Sequence, residues 1–267
     1  MAGKLAGALP VQRREIITTI WSTDMTFERW LQSRLTAHGY TVGLIDGIIG
    51  PITLTALKAF EKANGLTIDG TADPAVVKAL RASSSAISPK AMTEIPNRDD
   101  DDDPAIHSID LVNNVWPRQR DVPSFYGGVG TNQTAIEIPF DMVLAWSTGT
   151  RIKRMTLHKK VAPSAERVLQ AVAEIYSARE RADLGINLFA GSLNVRRMRG
   201  GRSYSMHSWG IAIDFDSLRN SLNTHAPKAR LSHTDAVPFW QAWEAEGWLS
   251  LGRARDYDWM HIQAARL

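Results

Sequence analysis

The chain has 267 residues, is 44% hydrophobic and 22% charged, and carries a net charge of +3 with no cysteine. That length holds one large domain or two ordinary ones, and the balance is that of a folded protein rather than a disordered one. Without cysteine there are no disulfides, thiolate metal sites or cysteine nucleophiles, so any metal must be held by His, Asp or Glu; the mild positive charge suits an anionic polymer without naming one.

No stretch reaches the ~20 apolar residues of a membrane span. The first residues, MAGKLAGALPVQRREI, make a poor secretory leader because Pro10 interrupts the apolar stretch and Arg13 and Arg14 follow it. The expectation is therefore synthesis in the cytoplasm, with no membrane insertion. Residues 25–82 read as a small helical domain. Phe27, Trp30, Leu31 and Leu35 keep helical spacing up to Gly39, and a second amphipathic helix is expected from Thr53 to Asn64 with Leu54, Leu57, Phe60 and Ala56 inward. A last helix is expected over Pro74–Arg81. Ile45-Asp46-Gly47 and Ile68-Asp69-Gly70 form an internal echo, two apolar-Asp-Gly turns in one short domain.

Residues 83–104 read as a solvated linker. They hold a serine cluster and the aspartate run Asp99–Asp103, whose like charges repel and lack the spaced ligands of a calcium loop. From 105 to 267 a larger α+β domain is expected. Turn signals separate short apolar runs over 106–160, a helix runs from Pro163 to Leu184, a strand from Asn187 to Leu193, and a further helix from Val237 to Trp248.

The chemistry concentrates in two segments of this domain. In Ser205–Asp216, alternation from Ile211 onward reads as a strand, with Ile211, Ile213 and Phe215 on one face and Ala212, Asp214 and Asp216 on the other. His207 precedes Gly210, where the chain can turn and bring an imidazole back to Asp214. Near the end, Asp256-Tyr257-Asp258-Trp259-Met260-His261 adds a second imidazole with an acid three residues before it. A catalytic zinc site takes three protein ligands and a nearby carboxylate to accept a proton from water. His207, Asp214 and His261 meet the first need and Asp258 the second, with Asp216 as rival ligand and Asp256 as rival base. Upstream, Arg196, Arg197, Arg199 and Arg202 form a basic run without interleaved aromatics. That argues against nucleic acid as partner and for one arginine facing a developing oxyanion. The other histidines, His38, His107, His158, His225 and His233, have no acid or imidazole at ligand spacing and are expected to be structural or exposed.

Ser205-x-His207-x-x-Gly210-x-Ala212-x-Asp214, followed by Asp258-x-x-His261, resembles the zinc D-alanyl-D-alanine carboxypeptidase and L-alanyl-D-glutamate endopeptidase family. The resemblance implies a Hedgehog-like α+β fold, one Zn²⁺ on His207, Asp214 and His261, Asp258 as general base, and Arg196 as the oxyanion-stabilising residue, with Arg197 and Arg199 as its competitors. Ser205 and Trp209 would contact substrate. An Asp at the base position, and Gln263 two residues after the last ligand, resemble the endopeptidases more than the carboxypeptidases. Residues 25–81 resemble the peptidoglycan-binding three-helix domain. The matching positions are Leu31-Gln32-x-x-Leu35, Gly39-Tyr40, Ile45-Asp46-Gly47, Gly50-Pro51-x-Thr53, Ala56-Leu57-x-x-Phe60 and Asn64-Gly65-Leu66-x-x-Asp69-Gly70; Glu61 departs from the usual Gln. Asp46, Gly47, Gly50 and Thr53 would face the wall. Together these imply a monomeric phage endolysin that reaches the wall through holin-type release and hydrolyses a stem-peptide amide. The alternatives are a carboxypeptidase, and, in another class, a non-catalytic wall-binding or virion structural protein.

Overall fold

The computed structural model describes residues 26–82, 116–198 and 200–267. The expected linker with Asp99–Asp103 lies outside the described residues, as do His107 and Arg199. Among the described residues no helix is long and apolar enough to cross a membrane.

Three helices come first: α1 (Phe27–Ala37), α2 (Pro51–Ala63) and α3 (Pro74–Arg81). Each start is written in the sequence. Thr26 accepts the Arg29 N–H, Asp73 accepts those of Ala75 and Val76, and α2 and α3 carry proline in their first turn, where its missing N–H costs nothing. That proline lets α2 begin two residues before the expected Thr53. Trp30, Leu35, Leu57, Phe60 and Leu80 close a small core. Leu54, expected inward, is 37% exposed while Thr53 is 2% exposed, so the buried face is Thr53, Ala56, Leu57 and Phe60.

The internal echo has a physical basis. The Gly47 N–H donates to Gln32 Oε1 from α1, and the Gly70 N–H donates to Glu61 Oε2 from α2. In each turn the aspartate accepts the N–H two residues on, Ile48 to Asp46 and Thr71 to Asp69. Gly47 and Gly70 sit at φ +82° and +75°, where a side chain would be strained. A helix side chain therefore pins each Asp-Gly turn, and Glu61 can stand in the usual place of Gln because the turn uses only an acceptor.

The second part is α+β. It has helices α4 (Val122–Tyr126), α5 (Ala162–Ile175), α6 (Ala178–Leu184), α7 (Val237–Ala245) and α8 (Leu251–Arg255). Its strands are β1 (Gln133–Leu144), β2 (Ser147–His158), β3 (Leu188–Gly191), β4 (Ala212–Phe215), β5 (Leu249–Ser250) and β6 (His261–Gln263). They form one six-stranded sheet in the order β2-β1-β3-β4-β6-β5, antiparallel except where β1 meets β3. Phe215 on β4 packs against Phe239 and Trp243 of α7. Burying one such phenylalanine contributes about 1.5–3 kcal/mol, and the pleat then sends Asp214 to the opposite face.

Four expectations are corrected here. The helix read over Pro163–Leu184 is two helices, broken at Tyr176. The buried Tyr176 hydroxyl donates to the Asp235 carbonyl and accepts from the Phe239 N–H, while Ser177 and Glu180 form a reciprocal cap that starts α6. The short runs over 106–160 contain a long hairpin, β1–β2, whose pairing shifts register between Glu137 and Met142 around Pro139, a residue without a ladder donor. The expected strand Asn187–Leu193 shortens to β3, and the helix expected to reach Trp248 ends at Ala245.

Glu180 also joins the two parts. Its carboxylate accepts from Trp30 Nε1 of α1 at 3.0 Å and pairs with Arg34 Nη1 at 3.5 Å, and the Ser33 hydroxyl donates to the Ile175 carbonyl. Replacing Glu180 with Ala should cost about 1 kcal/mol for the lost cap and about as much again for its hydrogen bonds to α1. Urea unfolding measures this; an unchanged midpoint would show that the contact between the parts carries no stability.

Candidate metal centre

Asp214 and His261 face each other across the β4–β6 ladder as register partners, and directly opposed residues share one face of a sheet. His207 comes from the 3-10 turn Met206–Trp209, whose start Ser205 caps through its hydroxyl. Gly210 ends that turn at φ +66°, the left-handed conformation that redirects the chain into β4. A methyl group at Gly210 would press on the Gln133 side chain and lie 3.1 Å from the His158 N. Gly210→Ala should therefore cost more than the about 1–2 kcal/mol of a left-handed non-glycine residue. Guanidinium unfolding is the check, and wild-type stability would show that the turn is not held as tightly as it looks.

The three ligand candidates converge. His207 Nε2 lies 3.2 Å from Asp214 Oδ1 and 3.2 Å from His261 Nδ1, and His261 Nδ1 lies 2.9 Å from Asp214 Oδ1. A tetrahedral centre with bonds of about 2.0–2.1 Å separates its ligand atoms by roughly 3.3 Å. These donors therefore stand nearly where zinc would hold them, and they form a buried set able to hold a metal ion. Burial alone would raise the Asp214 carboxyl; hydrogen bonds from His207 and His261, and their charges, outweigh it and hold it below the usual range. For His261 burial works downward, and Asp214 and Asp258 reverse it, raising the imidazole. On the far side of β4, Asp214 pairs with Gly191, where a Cβ would meet no atom within 4 Å. That glycine leaves open space beside the carboxylate, and the spacing of His and Asp did not point to it.

Asp258 lies close enough to this set for His261, Asp214 and His207 to act on its carboxyl, and it holds φ +53°, a conformation tolerated by Asp more than by most residues. Its N–H is held by the Leu222 carbonyl, its side chain is buried, and its Oδ1 has no hydrogen-bond partner among the described residues. Burial pushes its carboxyl above the ordinary carboxylate range. The two rivals are occupied elsewhere. Asp256 accepts from the Ala226 N–H and from Trp259 Nε1, both at 2.8 Å, and Asp216 pairs with Arg219 after the chain leaves β4 at φ +45°.

The Arg196 backbone is tied to the His207 turn: its N–H donates to Ser208 Oγ at 3.0 Å, and its carbonyl accepts from that hydroxyl at 2.7 Å. Its guanidinium is near enough to act on the Asp258 carboxyl electrostatically. Arg197 turns the other way, bonding the Arg202 carbonyl and lying 4.9 Å from the Tyr204 ring centroid. Trp209 donates from Nε1 to the Gly127 carbonyl and, with Met206 and Tyr204, lines a cleft of about 820 Å³. Residues three apart share a face of a 3-10 turn, so that cleft lies on the side of Met206 and Trp209 rather than that of His207.

Among the described residues, the remaining histidines His38, His158, His225 and His233 have structural partners. His38 caps α1 and bonds the Leu80 carbonyl, His158 bonds the Tyr126 carbonyl, and His225 and His233 bond the carbonyls of Asp256 and Pro227. Of the expected wall contacts, Asp46 and Thr53 accept from Gln32 Nε2, Gly47 donates to Gln32 Oε1, and Gly50 caps α2. Hydrogen bonds from Gln32 and from the Ile48 N–H hold the Asp46 carboxyl below its usual range.

Residues 29–80 match the family model of a peptidoglycan binding domain. The three helices thus form a peptidoglycan-binding domain, which suggests a cell-wall-associated protein with peptidoglycan as its partner. No curated protein and no solved structure matches the chain.

Proposed function

We propose that the α+β domain is a zinc-dependent peptidase, of Hedgehog-like fold, that hydrolyses an amide in the stem peptide of the peptidoglycan bound by the helical domain. The observation that carries the reading is the convergence of His207, Asp214 and His261 beside a buried Asp258 carboxylate oxygen with no partner. Zn²⁺ in such a site polarises the scissile carbonyl and lowers the pKa of water. Asp258 takes the proton as the water oxygen adds to the carbonyl carbon, and returns it to the amide nitrogen as the C–N bond breaks. Arg196 supplies positive charge to the oxyanion that develops. Trp209 anchors the opposite face of the metal-bearing turn, where it lines the cleft, and Ser205 serves by capping that turn. Asp258 in place of Glu, together with Gln263, favours the L-alanyl-D-glutamate bond over D-alanyl-D-alanine.

The test is digestion of purified peptidoglycan by the full chain, with mass spectrometry of the products. The expected result is release of new amino termini, abolished by a chelator and restored by zinc. Release of reducing sugars without new amino termini would overturn the reading, and so would intact wall with zinc-loaded protein. The first outcome also identifies the bond.

A further inference from the structure

The two histidines of the centre present different ring nitrogens inward. His207 offers Nε2 and His261 offers Nδ1, so each outer nitrogen must carry the proton if the inner one is to have a free lone pair. For His207 the outer partner is the Ser192 carbonyl, 2.6 Å from Nδ1, and a carbonyl can only accept. For His261 the outer partner is Gln263 Oε1, 3.1 Å from Nε2. An amide side chain can in principle turn and donate instead. Here it cannot, because Gln263 Nε2 is spent on the Ala265 carbonyl at 2.8 Å, the whole residue is 1% exposed, and its backbone pairs with Ala212 and Leu249.

We propose that Gln263 is a positioning residue that commits His261 to the Nε2–H tautomer and so aims its Nδ1 lone pair at the metal. The inference rests on the metal centre proposed above. Gln263 touches neither metal nor substrate; it acts through His261. The chain Ala265 C=O, Gln263 amide, His261 ring and Asp214 carboxylate runs along β6 into β4, so the last residues of the sheet set the orientation of a ligand. Partners in this position tune metal affinity by about 10–100-fold in other zinc sites.

Zinc affinity of the full chain, measured by chelator competition, separates the possibilities. Gln263→Leu, which removes the acceptor, should bind zinc about 10–100-fold more weakly, while Gln263→Glu, which keeps an acceptor, should stay near wild type. Both variants lose the bond to the Ala265 carbonyl, so the metal-free midpoint should fall in each, and affinity is compared on folded protein. In the zinc-loaded wild type, ¹⁵N NMR of the His261 ring should show Nε2 protonated. The inference is overturned if Gln263→Leu binds as tightly as wild type, if Gln263→Glu loses as much affinity as Gln263→Leu, or if Nδ1 of His261 is the protonated nitrogen. A wild-type chain that binds no zinc would instead remove the centre itself, a different failure.

Discussion

A His207→Ala chain is expected to bind no zinc and to leave wall preparations intact, while still sedimenting with them. The substitution takes one of three donors from a site whose atoms already stand 2.9–3.2 Å apart, so the loss should exceed the roughly 10–100-fold typical of an outer partner. It should not unfold the chain. His207 hangs from a turn closed by backbone bonds, Ser208 N–H to Ser205 and Gly210 N–H to the residue 207 carbonyl, which alanine keeps. Wall binding should persist because Asp46, Gln32, Thr53 and both Asp-Gly turns belong to the other domain. Metal analysis, wall turbidity and co-sedimentation on one preparation make the three measurements. Full lysis by this variant would end the zinc reading. Lost sedimentation would instead show that the variant disturbs the domain that docks on the wall.

The parts of this architecture that were legible are those fixed by local chemistry. Asp73 before Pro74, Thr26 before Phe27 and the glycines of the Asp-Gly turns each settle a boundary through a bond made within a few residues. What escaped depends on distant partners. Leu54 and Thr53 compete for the inward face of α2, and Thr53 wins because Gln32 reaches its hydroxyl from another helix. Tyr176 ends α5 because its hydroxyl finds Asp235 and Phe239, residues 59 and 63 positions away. The hairpin had a local signal, since Ile136, Ile138, Phe140, Met142 and Leu144 alternate, but Pro139 in the middle reads as a break until a bulge absorbs it. The ligand spacing located the residues of the centre, and only the β4–β6 register brings Asp214 opposite His261. Gly191 and the closed donor set of Gln263 carry no sequence mark at all.

The choice between the two aspartates before His261 has the second largest consequence. Asp258→Asn should keep zinc and fold, and lose about 10²–10⁴-fold in turnover, the range of a positioned general base. Its unpartnered oxygen is the reason: no protein donor depends on it, so removing its charge breaks no bond among the described residues. Asp256→Asn should do the reverse. That carboxylate holds the Ala226 N–H and Trp259 Nε1, and Trp259 is 1% exposed in the core. Weakening those bonds should lower stability by about 1–3 kcal/mol, the cost of charged hydrogen bonds, with turnover per folded molecule retained. Rates normalised to bound zinc, set beside urea midpoints, distinguish the two. An unchanged rate in Asp258→Asn with a collapsed rate in stable Asp256→Asn would move the base by two residues. The left-handed turn at Asp258 would then be a feature of the loop rather than of the chemistry.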